Sequence, residues 1–581
     1  MSRAKKILNP FFGGDIEEIN FDSQSHEAGE YSIKQNAKGA PVEKVNPLGY
    51  NLDYVTAFYM VLQGMIGTGI FATPGSVVKS MGSIGSTYVL WVSGFFIMIM
   101  ELSVYIEYLT YFRLRNGADV AFLEQAYPKP DFMIPTTYAA VSVCLSYLNS
   151  SSIAFGTYIL LASGVNASAW AERGVGIAIL TFTCILAAVS SKLSLKLSNF
   201  LGFVKLVFML FIVISGLVVL GGGSKVKDPH SIFKNPWEGT TTNGNAISSA
   251  ILKVSFSYGG TQYCIMLAGE ADPRKSKNLF RFFIPAVVFF VCILYILVIT
   301  SYYAGIGSVK EISDAGTLIS SVYFSKVFGT SAAQKALDVL VALAALGHLL
   351  ASVVGQSRVL RECGRQGVLP YSKLWTSTKP WGTPILPIIV MWVVNVIVSL
   401  APPPGDAFNF VVDMGSYSGY IFKILLVVGL LLVRKQREKA GLGFVGWKVP
   451  LPVLVLVILY EIFVFAMAFV PPADGTLNGS DVSFFYCAYA LTTIGIICLC
   501  LFYYYVWAKV LPKLYNYEHR VSLYSLENGE QGHTVVKVNK QDLERWDAEH
   551  YENGKLIDTD DASSVENITV SLGDNNKHFK L

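Results

Sequence analysis

Two short stretches of this sequence carry residues able to hold a charged small molecule with backbone groups. The first reads Met65-Ile66-Gly67-Thr68-Gly69-Ile70-Phe71, followed by Pro74-Gly75, in the middle of an apolar run. Glycines on both sides of a threonine weaken a helix, because they remove side-chain packing and raise the entropic cost of helical backbone. An interrupted helix exposes N–H and C=O groups that lipid cannot satisfy, so they must face protein or a wet cavity. The N–H groups that open the second half-helix, at the positive end of its dipole, suit a carboxylate. Gly-x-Gly alone serves equally well for close packing of two membrane helices, so this motif leaves both readings open.

The second stretch decides between them. It reads Ser255-Phe256-Ser257-Tyr258-Gly259-Gly260-Thr261-Gln262, again polar and Gly-interrupted within an apolar run. Freed carbonyls there would accept from a substrate ammonium, and Phe256 and Tyr258 could cover a site or touch an apolar side chain. Corresponding breaks in two halves of a membrane chain point to a transporter's binding site. A third candidate is Lys205, in Phe200-Leu-Gly-Phe-Val-Lys205-Leu-Val-Phe, about 20 Å along a helix from Lys192. An intramembrane lysine is costly and functional as a rule, and its pKa falls on desolvation, which suits a proton carrier. The other reading is a side chain snorkelling to the cytoplasmic face. His348, after Gly347, is able to titrate near neutral pH, although a lone histidine in such a place more often packs.

These residues need membrane helices to position them. The chain is 581 residues long, 52% hydrophobic and only 15% charged, with a mean hydropathy of +0.47. Crossing the hydrocarbon takes roughly 20 apolar residues. Twelve such runs are visible, at approximately 52–78, 85–109, 133–163, 174–191, 198–222, 246–268, 282–305, 335–357, 384–400, 407–433, 450–470 and 482–508. The breaks fall in the first and sixth. Five spans separate them, an odd number, so the second five-helix unit is inverted relative to the first. The third run follows Pro128, Pro130 and Pro135 and is expected to tilt strongly.

Charge orients the spans. Arg113, Arg115, Lys192, Lys196, Arg274, Lys275, Lys277, Arg358, Arg361, Arg365, Arg434, Lys435 and Arg437 follow the even-numbered spans, which places those loops and both termini in the cytoplasm. Lys225, Lys227 and Lys234 run against this rule. The sequons at Asn166 and Asn478 fall in predicted external loops and agree with it weakly. The polar start has no signal-peptide core, so the first span directs insertion. Residues 1–45 and 525–581 are polar and read as unfolded. They are either plain ends or a surface for ubiquitin-dependent regulators, where lysine modification would control removal from the membrane.

Several functions are excluded. A net charge of +4 is too small to argue for nucleic acid, and eight scattered cysteines give neither a zinc site nor a disulfide framework. No Walker loop, HExxH or GxSxG occurs, so neither ATP hydrolysis nor an enzyme is indicated, and no cofactor is called for. Glu101 and Glu107 are expected to pair or to lie near the cytoplasmic end. Lys423 and Glu461 are possible partners of each other, and Glu270 of a basic loop residue. No intramembrane carboxylate is expected beside the two breaks, which argues against strongly cationic substrates.

The run Gly67-Thr68-Gly69-Ile70-Phe71, with Phe256-Ser-Tyr-Gly-Gly260, Gly269-Glu270-Ala-Asp-Pro273-Arg274 and Gly364-Arg-Gln-Gly-Val-Leu-Pro370, resembles the amino acid–polyamine–organocation superfamily. Ala401-Pro-Pro-Pro-Gly-Asp-Ala407, Val470-Pro-Pro-Ala-Asp-Gly475 and Tyr505-Val-Trp-Ala-Lys-Val-Leu-Pro512 are similar to the fungal high-affinity methionine permeases. The likeness covers roughly residues 50–515. It implies an all-α integral membrane protein with the LeuT-like fold. A cytoplasmic tail 1–50 would precede inverted repeats at 51–225 and 226–435, two extra helices at 436–515 and a cytoplasmic tail 516–581. It further implies a plasma-membrane symporter carrying methionine, with cysteine as a second cargo, by alternating access. Ile66, Gly67, Thr68 and Gly69 would hold the carboxylate, and Ser255, Phe256, Tyr258 and Gly260 the amine, Phe256 serving as an aromatic gate. Lys205 stands where sodium-coupled relatives bind sodium, which implies proton coupling or none. Two departures touch the pocket: Gly64-Met65-Ile66, where Asn-Arg-Met or similar is expected, and the lack of an aromatic directly after Gly259-Gly260.

Overall fold

The computed structural model describes residues 18–20, 30–34, 40–41, 43, 46–67, 69–112, 115–146, 148–164, 168–224, 226, 228–329, 331–401, 407–439, 446–471, 485–551, 554–557 and 567–571. Thr68, one of the expected site residues, lies outside them, as do Arg113, Lys225, Lys227, Asn166 and Asn478.

The first apolar run forms α1 (Tyr54–Met65) and α2 (Gly69–Met81), with the first helix ending before Ile66 and Gly67 as the glycines predict. Asp53 starts α1 by accepting from the Thr56 N–H at 2.7 Å. Next come α3 (Ile84–Tyr111), a short α4 (Asp119–Ala126), α5 (Met133–Cys144), α6 (Asn149–Ser163), α7 (Ala169–Val189) and α8 (Ser191–Leu220). The sixth run is divided as expected, into α9 (Gly244–Tyr258) and α10 (Gln262–Met266). The remaining long helices are α11 (Ile284–Ile306), α12 (Ser331–Arg365), α13 (Ile385–Leu400), α14 (Ala407–Lys439), α15 (Leu451–Met467) and α16 (Ala488–Tyr505). Among the described residues nine helical runs are long and apolar enough to cross a membrane, and α13 and α15 are shorter apolar helices.

The outer faces are those of a lipid-embedded protein. On α8, Phe200, Phe203, Val207, Phe211, Ile214 and Leu217 are exposed, while Lys205, Phe208, Met209 and Ile212 are buried against the bundle. Water would penalise such an exposed apolar stripe, whereas lipid does not. Small residues allow close helix contact: a Cβ on Gly216 would lie 2.0 Å from Ser301 Oγ on α11.

Two features go beyond the expectations. The third run, expected to tilt, is also interrupted. It breaks at Leu145–Leu148, and Asn395 on α13 occupies the gap. The Asn395 amide accepts from the Leu148 N–H at 2.6 Å and donates to the Ser146 carbonyl at 2.7 Å, while Asn149 donates to the Asn395 carbonyl at 2.7 Å. Backbone freed inside a membrane must find such partners.

The C-terminal end is also not wholly unfolded. Strands at Tyr517–Ser525 and Gln531–Asn539 pair antiparallel, with Val521 opposite Val535, and a helix follows at Leu543–Glu549. An isolated hairpin is marginal in water. This one is held by Arg365, which donates to the Gln531 carbonyl at 2.8 Å, and by Glu530, which accepts from the Thr378 hydroxyl at 2.6 Å. Composition alone missed it because the fixing groups lie far away in the chain.

Candidate functional site

The two helix breaks meet. A Cβ on Gly64 would stand 2.2 Å from the Gly260 carbonyl oxygen, and one on Gly260 would stand 2.3 Å from that of Gly64. Gly260 also has φ of +101°, a region that L side chains rarely adopt. Farther along, a Cβ on Gly69 would lie 2.7 Å from Ser257 Oγ, and Thr73 and Ser257 share a hydroxyl hydrogen bond of 2.9 Å.

Tyr295 on α11 ties the breaks together. Its hydroxyl lies 2.5 Å from the Met65 carbonyl oxygen and 2.9 Å from that of Ser257, and it donates to these acceptors. Sequence reasoning missed this residue, since a tyrosine in an apolar run carries no local sign of its partner. Lys205 on α8 is 2% exposed, and its ammonium donates to the Ile66 carbonyl. The side chain is thus spent on the break and does not snorkel to the surface.

A cavity of about 310 Å³ opens beside the second break. Ser255, Phe256, Tyr258 and Gly260 line it, with Met98 and Glu101 of α3, His348 of α12 and Lys423 of α14. Phe256 is half-buried on the cavity wall, whereas Tyr258 is 1% exposed and packs against Trp91 and Tyr295. Ile66, Gly67 and Gly69 are buried beside the cavity and do not line it. The His348 ring stands between Gly67 and the cavity: a Cβ on Gly67 would sit 3.0 Å from its Cδ2, and its Nδ1 is 2.7 Å from the Ser151 hydroxyl oxygen.

The backbone groups are partly used within the protein. Ile66 N–H donates to the Leu62 carbonyl and Gly67 N–H to the Met65 carbonyl, at 2.9 and 2.8 Å. The carbonyls of Ser255 and Phe256 share the Gly259 N–H at 3.0 and 3.2 Å, leaving each a lone pair for a second donor.

The charged side chains are partnered in part as expected and in part otherwise. Glu101 and Glu107 do not pair with each other. Lys423 donates to Glu101 at 2.6 Å, and Arg434 forks onto Glu107 at 2.7 and 2.6 Å. Glu101 and Asp119 line the same cavity as Phe256 and Gly260, so carboxylates do border the second break. Lys423 does meet Glu461, at 3.6 Å, and Glu270 pairs with Arg358 at 2.8 Å, as the sequence suggested.

With this geometry in view, the relatives of the chain can be weighed. Residues 52–505 match the family model described as amino acid permease. The chain belongs to the amino acid permease family. The high-affinity methionine permease of Saccharomyces cerevisiae is 32% identical over 495 residues, covering 84% of each chain. The low-affinity methionine permease of the same yeast is 25% identical, covering 91% of this permease and 96% of the relative. The mouse b(0,+)-type amino acid transporter 1 is 25% identical over 72% of this permease and 82% of its own length. These relatives are transporters and not enzymes. An amino acid permease with many apolar helices is a multi-pass membrane protein.

Proposed function

We propose that this permease takes up methionine across the plasma membrane by alternating access, coupled to protons, with both termini in the cytoplasm. The observation that supports this most is the convergence of the two helix breaks, tied by Tyr295, beside a cavity of about 310 Å³. That volume is at the scale of small-molecule pockets. Twelve spans, arranged as inverted repeats over spans 1–5 and 6–10 plus two further helices, account for breaks in the first and sixth. The likeness to two yeast methionine permeases supports methionine as cargo.

In this reading the carboxylate is held at the break of Ile66, Gly67, Thr68 and Gly69, which a turn of the His348 ring opens to the cavity. The ammonium sits on spare lone pairs of the Ser255 and Phe256 carbonyls, with Tyr258 and Gly260 holding that segment. The thioether lies against Phe256 and Met98. The contact of Lys205 with the Ile66 carbonyl supports a role in coupling. A proton leaving Lys205 removes the charge from that bond and frees the break to change shape.

Gly67→Leu tests the site. Its side chain would run into the His348 ring, so uptake of labelled methionine falls at least about tenfold, the worth of roughly 1.4 kcal/mol, while surface biotinylation still finds the protein. Normal uptake would sink the assignment. In Lys205→Met the maximal rate of uptake loses its pH dependence; an unaltered profile would leave that lysine with a packing role.

A further inference from the structure

Glu461 on α15 is fully buried, and neither carboxylate oxygen has a hydrogen-bond partner among the described residues. Its nearest cation is Lys423 Nζ, 3.6 Å away, and that ammonium already donates to Glu101 at 2.6 Å. The other neighbouring groups are occupied. Tyr460 on the same helix bonds the Ser255 hydroxyl, and Lys253 of α9 donates to Ser249 at 3.4 Å. Tyr420 of α14 offers a phenol beside Lys423, with Tyr489 of α16 beyond it. Asp119 lies on the same cavity wall, 3.4 Å from the hydroxyl of Tyr138.

Two carboxylates and one ammonium leave one uncompensated negative charge if all are ionised. A bare buried carboxylate costs far more than a neutral carboxylic acid. Close like charges force one of the pair to keep its proton. The geometry selects Glu461 as the holder, because Glu101 has the hydrogen bond to Lys423 and Glu461 has none.

We propose that Glu101, Lys423 and Glu461 form a proton-binding site that sets the charge of the substrate cavity's wall. With Glu461 protonated, Lys423 neutralises Glu101 and the wall suits a zwitterion. When the proton leaves Glu461 by way of Glu101, whose carboxylate lines the cavity, Lys423 is drawn between the two carboxylates. Glu101 then presents unbalanced negative charge beside Ser255 and Phe256. That charge faces the ammonium end of the substrate, so a cationic amino acid, which brings a second positive group, gains affinity relative to a neutral one. This inference rests on the reading of the cavity as the substrate site.

The test is the KM for labelled methionine in transport-deficient cells from about pH 5 to about pH 8. In the wild-type permease lysine becomes a stronger inhibitor relative to the KM for methionine as pH rises, by up to about tenfold per pH unit above the titration. In Glu461→Gln, which mimics the protonated acid, this ratio is flat with pH. A wild-type slope in Glu461→Gln overturns the proposal. So does lysine inhibition of the wild type that ignores pH, a result that needs no variant to fold. Should Glu461→Gln fail to reach the surface, Glu101→Gln, which leaves Lys423 to Glu461 alone, is likewise expected to be flat, and a retained slope there also contradicts the proposal. The Lys205 reading is tested on maximal rate and this one on KM and charge selectivity, so either can fail alone. A permease that carries no methionine contradicts the substrate reading only, and the neutral amino acid it does carry then serves as the probe.

Discussion

Glycine is the residue that lets the two broken helices meet. Gly64 and Gly260 bring two backbones so close that neither position has room for a methyl group. Gly260→Ala would add overpacking to a left-handed backbone, a cost of about 2–4 kcal/mol. It should lower the melting temperature of the purified protein and remove uptake; a variant that melts and transports normally would contradict the contact. The same contact accounts for Gly64, where the resemblance implied an asparagine: the Gly260 carbonyl leaves no space for one. The breaks were legible because glycine pairs in apolar runs have a direct backbone meaning. Tyr295 was not legible, because its importance lies in two carbonyls distant in the chain. Glu461 was visible as an oddity, and its lack of hydrogen bonds was not.

At the scale of elements, helices were easy to find and their interruptions harder. Run lengths and apolarity place spans well, since lipid imposes both. The break after α5 escaped notice, although Ser146, Asn149, Ser150, Ser151 and Ser152 form a polar knot there. Prolines upstream drew attention to tilt instead. What fills the break is Asn395, from a helix about 250 residues later, and no local pattern links the two. Asn395→Leu would leave the Leu148 N–H and the Ser146 carbonyl without it, at about 1–3 kcal/mol for each buried group. Thermal unfolding in detergent should show the loss, whereas an unchanged transition would mean that other groups satisfy this backbone.

Across the whole molecule, sequence and structure agree on a many-helix membrane body and differ at its C-terminal end. Hydropathy reveals which segments meet lipid, and polar composition was read as absence of fold for the ends. The hairpin at Tyr517–Asn539 shows the limit of that inference, for polar strands fold when a docking surface supplies Arg365 and Thr378. The wall of the cavity was misread for a related reason. Glu101, on α3, is far from Gly259 and Gly260 along the chain and lines the same cavity as they do. The claim that unites these scales is that the two broken helices hold an amino acid, and methionine in particular. Uptake of labelled methionine by cells lacking their own carriers, at acid and neutral pH and with unlabelled amino acids as competitors, tests it most directly. The account predicts uptake that acid stimulates and that unlabelled methionine blocks best. A protein present at the surface that neither takes up methionine nor lets any amino acid compete would contradict it.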